Sequence, residues 1–253
     1  MQIDVIGQGP ALVLIHGWAL HGGVFAPLVD RLSAHFQLHL VDLPGHGASR
    51  ADTTPLRLPY VVNAIAAATP PAVWCGWSLG GLFALHAAAT LPQVRALAMI
   101  AATPRFVRGD DWPHAVEPAV FEQFGQDLAQ DYRGTLERFL ALDAMGSEHA
   151  RQELRTLRGM LVARGEPTPR ALQEGLHLLE NTDLRGALAQ LGKPSLWLAG
   201  QRDRLVSARA MQAAAALAPG AQAHVIAQGG HAPFLGHTDE VAAQLQHFVA
   251  ALP

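Results

Sequence analysis

Residues 73–81, Val-Trp-Cys-Gly-Trp-Ser-Leu-Gly-Gly, decide the fold. An apolar run leads into one hydroxyl residue, Ser78, and the small and apolar residues that follow predict a helix. Residues 76–80 have the pattern G-x-S-x-G, in which the serine lies on a sharp strand-to-helix turn. Gly76 and Gly80 are needed because strand and helix crowd together there. The start of the helix would bring N–H groups and a positive dipole end beside Ser78, where an oxyanion can be stabilised.

The rest of the chain predicts strands that alternate with helices. Short apolar runs predict strands at residues 3–6, 11–15, 37–41, 96–101, 195–199 and 223–226, besides the one that leads to Ser78. Helical spacing of apolar residues predicts helices that include residues 24–36, 208–217 and 239–251. Alternation of this kind predicts an α/β fold with a mostly parallel central sheet flanked by helices.

The pattern changes between residues 104 and 183, where helical periodicity continues without a convincing strand. We therefore predict an α/β core formed by residues 1–103 and 184–253, interrupted by a helical lid insertion at 104–183. A chain of 253 residues is long enough for one large domain with such an insertion.

Composition excludes several classes of partner. Half of the residues are hydrophobic and the net charge is −3, which gives no reason to expect nucleic acid. No signal peptide and no apolar run of membrane-spanning length is evident, so we expect no membrane partner. The only cysteine, Cys75, excludes an internal disulfide and suits a reducing compartment. We expect a monomeric cytoplasmic protein in which Cys75 packs in the core.

An activated serine needs a base within hydrogen-bond reach and an acid that orients the base. Asp203 follows the last predicted strand but one, and His231 follows the last strand in a Gly-Gly-His context. Acid and histidine therefore come after the serine in the order that this topology requires. Asp183 and Asp239 are alternative acids, but each is predicted at a helix start, where capping the helix is a sufficient role.

Taken together, these motifs resemble the α/β-hydrolase family over nearly the whole chain. Besides the serine, aspartate and histidine segments, the resemblance rests on His16-Gly17-Trp18 and on Asp-Leu-Pro-Gly-His-Gly at residues 42–47. A narrower resemblance, to the pimeloyl-acyl-carrier-protein methyl ester esterases of biotin synthesis, rests on residues 38–45, 76–81, 137–142 and 231–234.

The resemblance implies a serine carboxylesterase that releases methanol from a carrier-linked dicarboxylic methyl ester through an acyl-enzyme. Ser78 would be the nucleophile, His231 the base and Asp203 the acid, while the N–H groups of Trp18 and Leu79 would hold the oxyanion. No metal or cofactor enters this scheme. The implied substrate contacts are Trp18, Ser78, Leu79, Phe139, Leu140, Ala141, Leu142, Asp143 and His231. The resemblance predicts a neutral polar residue where this chain has Asp143.

An acyl carrier protein presents an acidic surface, so a basic patch would help this expected partner to dock. Arg151, Arg155 and Arg158 are spaced for one helix face, and Arg138 is a fourth candidate. The alternative is a solvated face with local ion pairs, such as Glu148 with Arg151.

Other functions remain open. The same serine, aspartate and histidine set would serve a broad short-chain esterase, a lactonase or a carbon-carbon bond hydrolase. Dehalogenase and epoxide hydrolase chemistry is disfavoured because those relatives use an aspartate nucleophile, and this turn has Ser78. Outside catalysis, a ligand-binding receptor is possible on this fold, and the complete set of three residues argues against it.

Overall fold

A computed structural model describes residues 1–252 and contains one seven-stranded sheet in the order β1-β3-β2-β4-β5-β6-β7. Only β1 runs antiparallel, against β3. The predicted mostly parallel sheet is therefore confirmed. The strands are β1 (Ile3–Ile6), β2 (Ala11–Ile15), β3 (Gln37–Val41), β4 (Ala72–Trp77), β5 (Val94–Ile100), β6 (Ser195–Gly200) and β7 (Gln222–Ile226).

Helices flank this sheet. Helix α1 packs on α10 and α11, α2 packs on α3, and α9 packs on β6 and β7. None of the helices within residues 1–252 is long and apolar enough to cross a membrane. The helices are α1 (Ala26–Leu32), α2 (Leu58–Ala68), α3 (Leu79–Thr90), α4 (Pro118–Gln130), α5 (Tyr132–Ala144), α6 (Ala150–Ala163), α7 (Pro169–Asn181), α8 (Arg185–Leu188), α9 (Ala208–Leu217), α10 (Pro233–Gly236) and α11 (Thr238–Ala250).

The central strand of the sheet, β4, is buried along its whole length. Every residue of β4 is buried, as expected for a parallel strand covered on both faces. Cys75 lies in this strand, and burial raises the pKa of its thiol to about 12, so it is a neutral packing residue. Because β4 is packed on both faces, the position of its carboxyl end is fixed.

The helix predicted at residues 24–36 is shorter in the structure. A single 3₁₀ turn (Gly22–Phe25) precedes α1, which begins beside Pro27 and ends at Leu32. Phe36 is nevertheless buried, because the chain turns back into the core before β3. Its apolar character reflects that packing and not a helical position. Helix α2, which the sequence analysis does not predict, buries Leu58, Val61, Val62 and Ile65.

Between β5 and β6 the chain is mainly helical: α4 to α7 lie where the sequence predicts the lid, and α8 follows in the predicted core. Within the described residues, its only β-pairing is two isolated bridges, Val107 with Val116 and Gly109 with Trp112. Helix α5 packs against α4 and α6, and α4 packs against α7. The division into a core and a lid with boundaries at 103/104 and 183/184 stays a prediction.

Two glycines allow the turn at Ser78. A Cβ atom on Gly80 would lie 2.1 Å from the carbonyl oxygen of Ile15 in β2, and one on Gly76 would lie 2.3 Å from that of Gly80. Neither position has room for a side chain, because backbone meets backbone. Strand β4, helix α3 and strand β2 can approach this closely only with glycine at both positions.

We predict that Gly80→Ala lowers the free energy of unfolding by about 2–4 kcal/mol, because the new methyl group meets backbone that cannot move aside. Gly159→Ala on α6 is the matched control, since a Cβ there meets no atom within 4 Å. Helix propensity predicts that this control gains roughly 0.5–1 kcal/mol. Urea denaturation of both variants measures the difference, and similar values for the two would contradict the steric argument.

Candidate active site

Ser78 lies between the end of β4 and the start of α3 in a strained backbone conformation. Its φ of 52° and ψ of −122° fall where residues with side chains are rare. Two hydrogen bonds hold the turn: the Ser78 N–H donates to the carbonyl of Ile100 at 3.1 Å, and the Gly81 N–H donates to the carbonyl of Ser78 at 2.9 Å. The hydroxyl is thereby directed away from the strand, at the carboxyl edge of the sheet.

The structure brings together the three residues that the sequence predicts to act as a unit. His231 Nε2 lies 2.9 Å from Ser78 Oγ, and His231 Nδ1 lies 2.8 Å from Asp203 Oδ2. With the Nδ1 proton donated to the carboxylate, Nε2 is left free to accept the proton of the serine hydroxyl. This geometry suits nucleophilic attack by Ser78 on a carbonyl carbon.

Asp203 is fixed by its own loop. Its Oδ1 accepts hydrogen bonds from the N–H groups of Leu205 at 2.8 Å and Val206 at 2.9 Å, which leaves Oδ2 for the imidazole. The alternative acids are engaged elsewhere, since Asp183 pairs with Arg185, and Asp239 with Arg31. Of the three aspartates weighed from the sequence, only Asp203 contacts His231.

Burial acts to lower the pKa of His231, but the charge and hydrogen bond of Asp203, together with the charge of Asp143, outweigh it and raise that pKa. The histidine main chain is also held, because the indole Nε1 of Trp77 donates to the carbonyl of His231 at 2.7 Å. Sequence reasoning missed this role of Trp77. The contact joins residues 154 positions apart, and no local pattern indicates it.

The loop after β2 approaches Ser78 closely. A Cβ on Gly17 would lie 3.2 Å from the Ser78 Cβ and 3.0 Å from the ring of Trp77, so glycine permits this close approach. Within residues 1–252 the N–H groups of Trp18 and Leu79 have no hydrogen-bond acceptor. Two free donors beside a serine hydroxyl are what an oxyanion site requires.

His16 supports this loop. Its Nδ1 lies 2.7 Å from the carbonyl of Gly17, and its Nε2 accepts from the N–H of Leu43 at 3.0 Å. Burial lowers the pKa of His16 well below its ordinary value, so the ring is neutral. Both ring nitrogens are therefore occupied by structural hydrogen bonds.

Trp18 connects the core to the helical segment above it. Its indole Nε1 donates to the carbonyl of Leu172 in α7 at 2.9 Å, and its ring meets Phe139 of α5 edge-on at 4.7 Å. Phe139 in turn contacts Phe124 of α4 at 5.6 Å. The three aromatic rings form a continuous apolar series from the loop after β2, beside Ser78, into the helical segment above it.

A cavity of about 620 Å³ lies between α4 and α5. Ser78 is not part of its wall and is 1% exposed, so the hydroxyl is covered in this conformation. The cavity is lined by Ala119, Val120, Gln123, Phe124, Asp127, Arg138, Ala141, Leu142 and Met145.

The segment 139–143, expected to contact substrate, is divided among different helix faces. Ala141 and Leu142 line the cavity, whereas Phe139 and Asp143, one turn apart, point toward the core. Leu140 is fully buried in the hydrophobic core and does not line the cavity. Because successive residues of a helix are about 100° apart, five in a row cannot share one face.

Asp143 is the residue that departs from the expected pattern. Its side chain is fully buried, and its Oδ1 lies 3.9 Å from His231 Nε2. Burial, with a smaller contribution from the charge of Asp203, raises the pKa of this carboxyl to about 7, while the charge of His231 opposes the shift. A titratable group therefore lies beside the imidazole on the side opposite Asp203.

The four predicted docking arginines differ in their surroundings. Arg151, Arg155 and Arg158 are all exposed on α6, on the face opposite its buried Leu157. Arg158 pairs with Glu137 at 2.7 Å, and Arg138 pairs with Asp127 across the cavity. Within residues 1–252, Arg151 and Arg155 have no ion-pair partner. The local ion pair between Glu148 and Arg151, which a solvated face would form, is therefore absent from these residues.

Three potential metal ligands lie close together away from Ser78, although the sequence predicts no metal. The ligand atoms of Glu148, His149 and His237 are all within 4.8 Å of one another. Glu148 and His149 are exposed. This cluster shares no residue with the candidate active site.

Comparison with known proteins places this geometry in a family. The family model described as "alpha/beta hydrolase fold" matches residues 10–238. The chain belongs to the α/β-hydrolase family. Among solved structures, an esterase from Exiguobacterium antarcticum has a TM-score of 0.89 at 22% identity, covering 98% of this chain and 95% of its own. An enol-lactonase from Burkholderia xenovorans has a TM-score of 0.85 at 19% identity, with coverage of 98% and 96%. These two likenesses show the α/β-hydrolase fold.

Curated relatives are much more similar in sequence. A pimeloyl-[acyl-carrier protein] methyl ester esterase from Stenotrophomonas maltophilia is 83% identical over 252 residues, covering 100% of this chain and 97% of the relative. The protein of the same name from Xanthomonas oryzae pv. oryzae is 76% identical over 253 residues, covering both chains completely. The narrower resemblance seen in the sequence is thus confirmed over the full length of this α/β hydrolase.

The buried Asp143 predicts an unusual dependence of stability on pH. Its folded-state pKa is raised above the unfolded value, so ionisation destabilises the folded protein, and this cost accumulates from about pH 4 to about pH 7. Asp143→Asn should remove that cost, which is roughly 4 kcal/mol at most for a shift of this size. Chemical denaturation at several pH values should therefore show the variant gaining stability over wild type as the pH rises. A difference that stays constant with pH would contradict the prediction.

Proposed function

We propose that this α/β hydrolase is a serine carboxylesterase that hydrolyses the methyl ester of a carrier-protein-linked dicarboxylic acyl chain, pimeloyl-acyl-carrier-protein methyl ester of biotin synthesis. The observation that supports this chemistry is the continuous series of hydrogen bonds from Ser78 through His231 to Asp203. The substrate is supported by relatives that are 76–83% identical and are named for this activity.

In the first half of the reaction, Ser78 Oγ attacks the ester carbonyl carbon while His231 Nε2 takes the hydroxyl proton. The negative charge that develops on the carbonyl oxygen is held by the N–H groups of Leu79 and Trp18. Asp203 stabilises the imidazolium that forms. The bond to the methoxy oxygen then breaks, His231 donates its proton, and methanol leaves an acyl group on Ser78.

In the second half, water attacks the acyl-enzyme and His231 takes one of its protons. The same two N–H groups hold the oxyanion, and the bond to Ser78 Oγ breaks as the serine regains its proton. The products are a carboxylic acid, ionised at neutral pH, and the free enzyme. One water is consumed and one methanol released per turnover. No step requires a metal or cofactor.

The lid cavity is the proposed path for the acyl chain. It is lined mainly by apolar side chains. The rings of Phe124, Phe139 and Trp18 connect it to the loop after β2, which lies beside Ser78. Because Ser78 is covered, substrate entry requires these rings or the lid itself to move. Arg151 and Arg155, exposed and without ion pairs within residues 1–252, are the arginines best suited to an acidic carrier surface.

We infer further that the enzyme works as a cytoplasmic monomer that contacts its carrier transiently. A broad short-chain esterase, a lactonase and a carbon-carbon bond hydrolase would use the same serine chemistry. Relatives named for a single activity do not favour these alternatives or a ligand-binding receptor.

A fluorophosphonate probe tests the serine chemistry. Wild type should be labelled, and Ser78→Ala should not, because the probe reacts only with an activated hydroxyl. Ser33→Ala, at the end of α1, is the control and should be labelled like wild type. Equal labelling of Ser78→Ala and wild type would exclude the proposed nucleophile.

Asp203→Asn should keep the fold and lose roughly 10³–10⁴-fold in kcat, since the imidazole would no longer be held in the correct tautomer.

Carrier dependence is tested with two substrates, pimeloyl-carrier methyl ester and dimethyl pimelate. Arg151→Glu and Arg155→Glu, alone and combined, should each reduce kcat/KM for the carrier-linked ester by about tenfold and leave the small ester unaffected. Arg95→Glu, exposed near the amino end of β5, is a charge-matched control that should change neither rate. Equal losses on both substrates would refute docking through this face, and a preference for short free esters would favour the broad esterase.

A further inference from the structure

The proposed reaction gives no role to the buried carboxyl of Asp143. Neither oxygen of the Asp143 carboxyl has a hydrogen-bond partner within residues 1–252, although the side chain is fully buried. A buried carboxyl normally finds donors, because leaving it unsatisfied is costly. An unpartnered carboxyl 3.9 Å from the imidazole of His231 therefore calls for a functional explanation.

The carboxyl is held in this position by main-chain contacts. The His231 N–H donates to the carbonyl oxygen of Asp143 at 3.2 Å. A second hydrogen bond, from the Glu148 N–H to the carbonyl of Gln228 at 3.2 Å, joins the same two segments. The end of α5 and the loop that bears His231 are thus tied together, and the distance between carboxyl and imidazole is set by backbone.

Few charged groups face this carboxyl. From the core they are His231 and, behind it, Asp203. On α5 itself Arg138 reaches Asp127 of α4 and Asp131, and Glu137 pairs with Arg158 of α6. Glu153, the buried acid of α6, accepts a hydrogen bond from Ser147. Among residues 1–252, His231 is therefore the group of opposite charge that Asp143 faces.

We propose that Asp143 is a positioning residue that acts through His231, holding the protonated imidazole from the Nε2 side and so setting the pH at which Nε2 is free to accept the Ser78 proton. The inference rests on the proposed serine chemistry. Asp203 and Asp143 flank the ring at opposite nitrogens, and two negative charges favour the imidazolium over the neutral ring. The imidazolium must lose its Nε2 proton to water before the base is available.

The sign of the effect follows from this arrangement. An ionised Asp143 raises the pKa of His231, and burial raises the pKa of Asp143 itself, so the two groups titrate as a coupled pair. Replacing the carboxyl by an amide removes the second negative charge. The acid limb of the pH profile should then move to lower pH. The rate on the alkaline plateau should fall several-fold, because the imidazolium formed in each transition state is less stabilised.

The experiment is the pH dependence of kcat/KM for p-nitrophenyl acetate, a small ester that needs no carrier. Asp143→Asn should shift the acid limb down by roughly one pH unit or more, since two charges this close interact strongly. Asp143→Glu keeps a carboxyl and should retain most of the wild-type limb. Asp30→Asn, the same change at an exposed position on α1, should leave it unchanged. A purely structural role would lower the rate at every pH without moving the limb, and that result would overturn the proposal.

A second measurement does not depend on turnover. The nitrogen NMR titration of the His231 imidazole should show a lower pKa in Asp143→Asn than in wild type, and an unchanged value would overturn the proposal. Asp143→Ser provides the same comparison if the Asn variant does not fold. Fluorophosphonate labelling separates the two hypotheses: an unlabelled wild type contradicts the serine chemistry, whereas a labelled enzyme with an unmoved limb contradicts only the role of Asp143.

Discussion

The backbone contact between α3 and β2 at Gly80 is the constraint on which the candidate site depends. It brings the start of α3 against the carbonyl of Ile15, so that Ser78 is held at the end of β4 with a positive φ. The loop that follows β2 also lies beside the serine, since a Cβ on Gly17 would be 3.2 Å from the Ser78 Cβ. The strained serine and the loop that bears Trp18 are therefore held together by close backbone contacts.

A second set of contacts joins this rigid core to the helical segment above it. Trp18 bonds to α7, Phe139 packs on Trp18, and the His231 N–H bonds to the end of α5. Each of these contacts involves a residue of the candidate site or its neighbour. A shift of this helical segment would therefore move the loop that bears Trp18 and the imidazole of His231 together.

Much of this was predictable from sequence because the relevant signals are local. Strands buried on both faces are continuous apolar runs, and the structure places six of the predicted strands within two residues of their expected ends. The order of Ser78, Asp203 and His231 follows from the topology of parallel strands, whose carboxyl ends meet at one edge. Gly76 and Gly80 were assigned correctly because each permits a close backbone approach that any side chain would block.

What sequence could not predict involves distant residues. The early end of α1 depends on how Phe36 packs in the core, and the support that Trp77 gives His231 joins residues far apart in the chain. The approach of Asp143 to His231 depends on the angle at which α5 crosses the core, for which no motif exists. The ion pairs that Arg138 and Arg158 form, with Asp127 and Glu137, likewise depend on which acids the neighbouring helices bring close. Burial of Asp143 also links the conformation of this part of the chain to solvent protons. Any rearrangement that exposes the carboxyl to water would lower its pKa toward the ordinary range and release a proton.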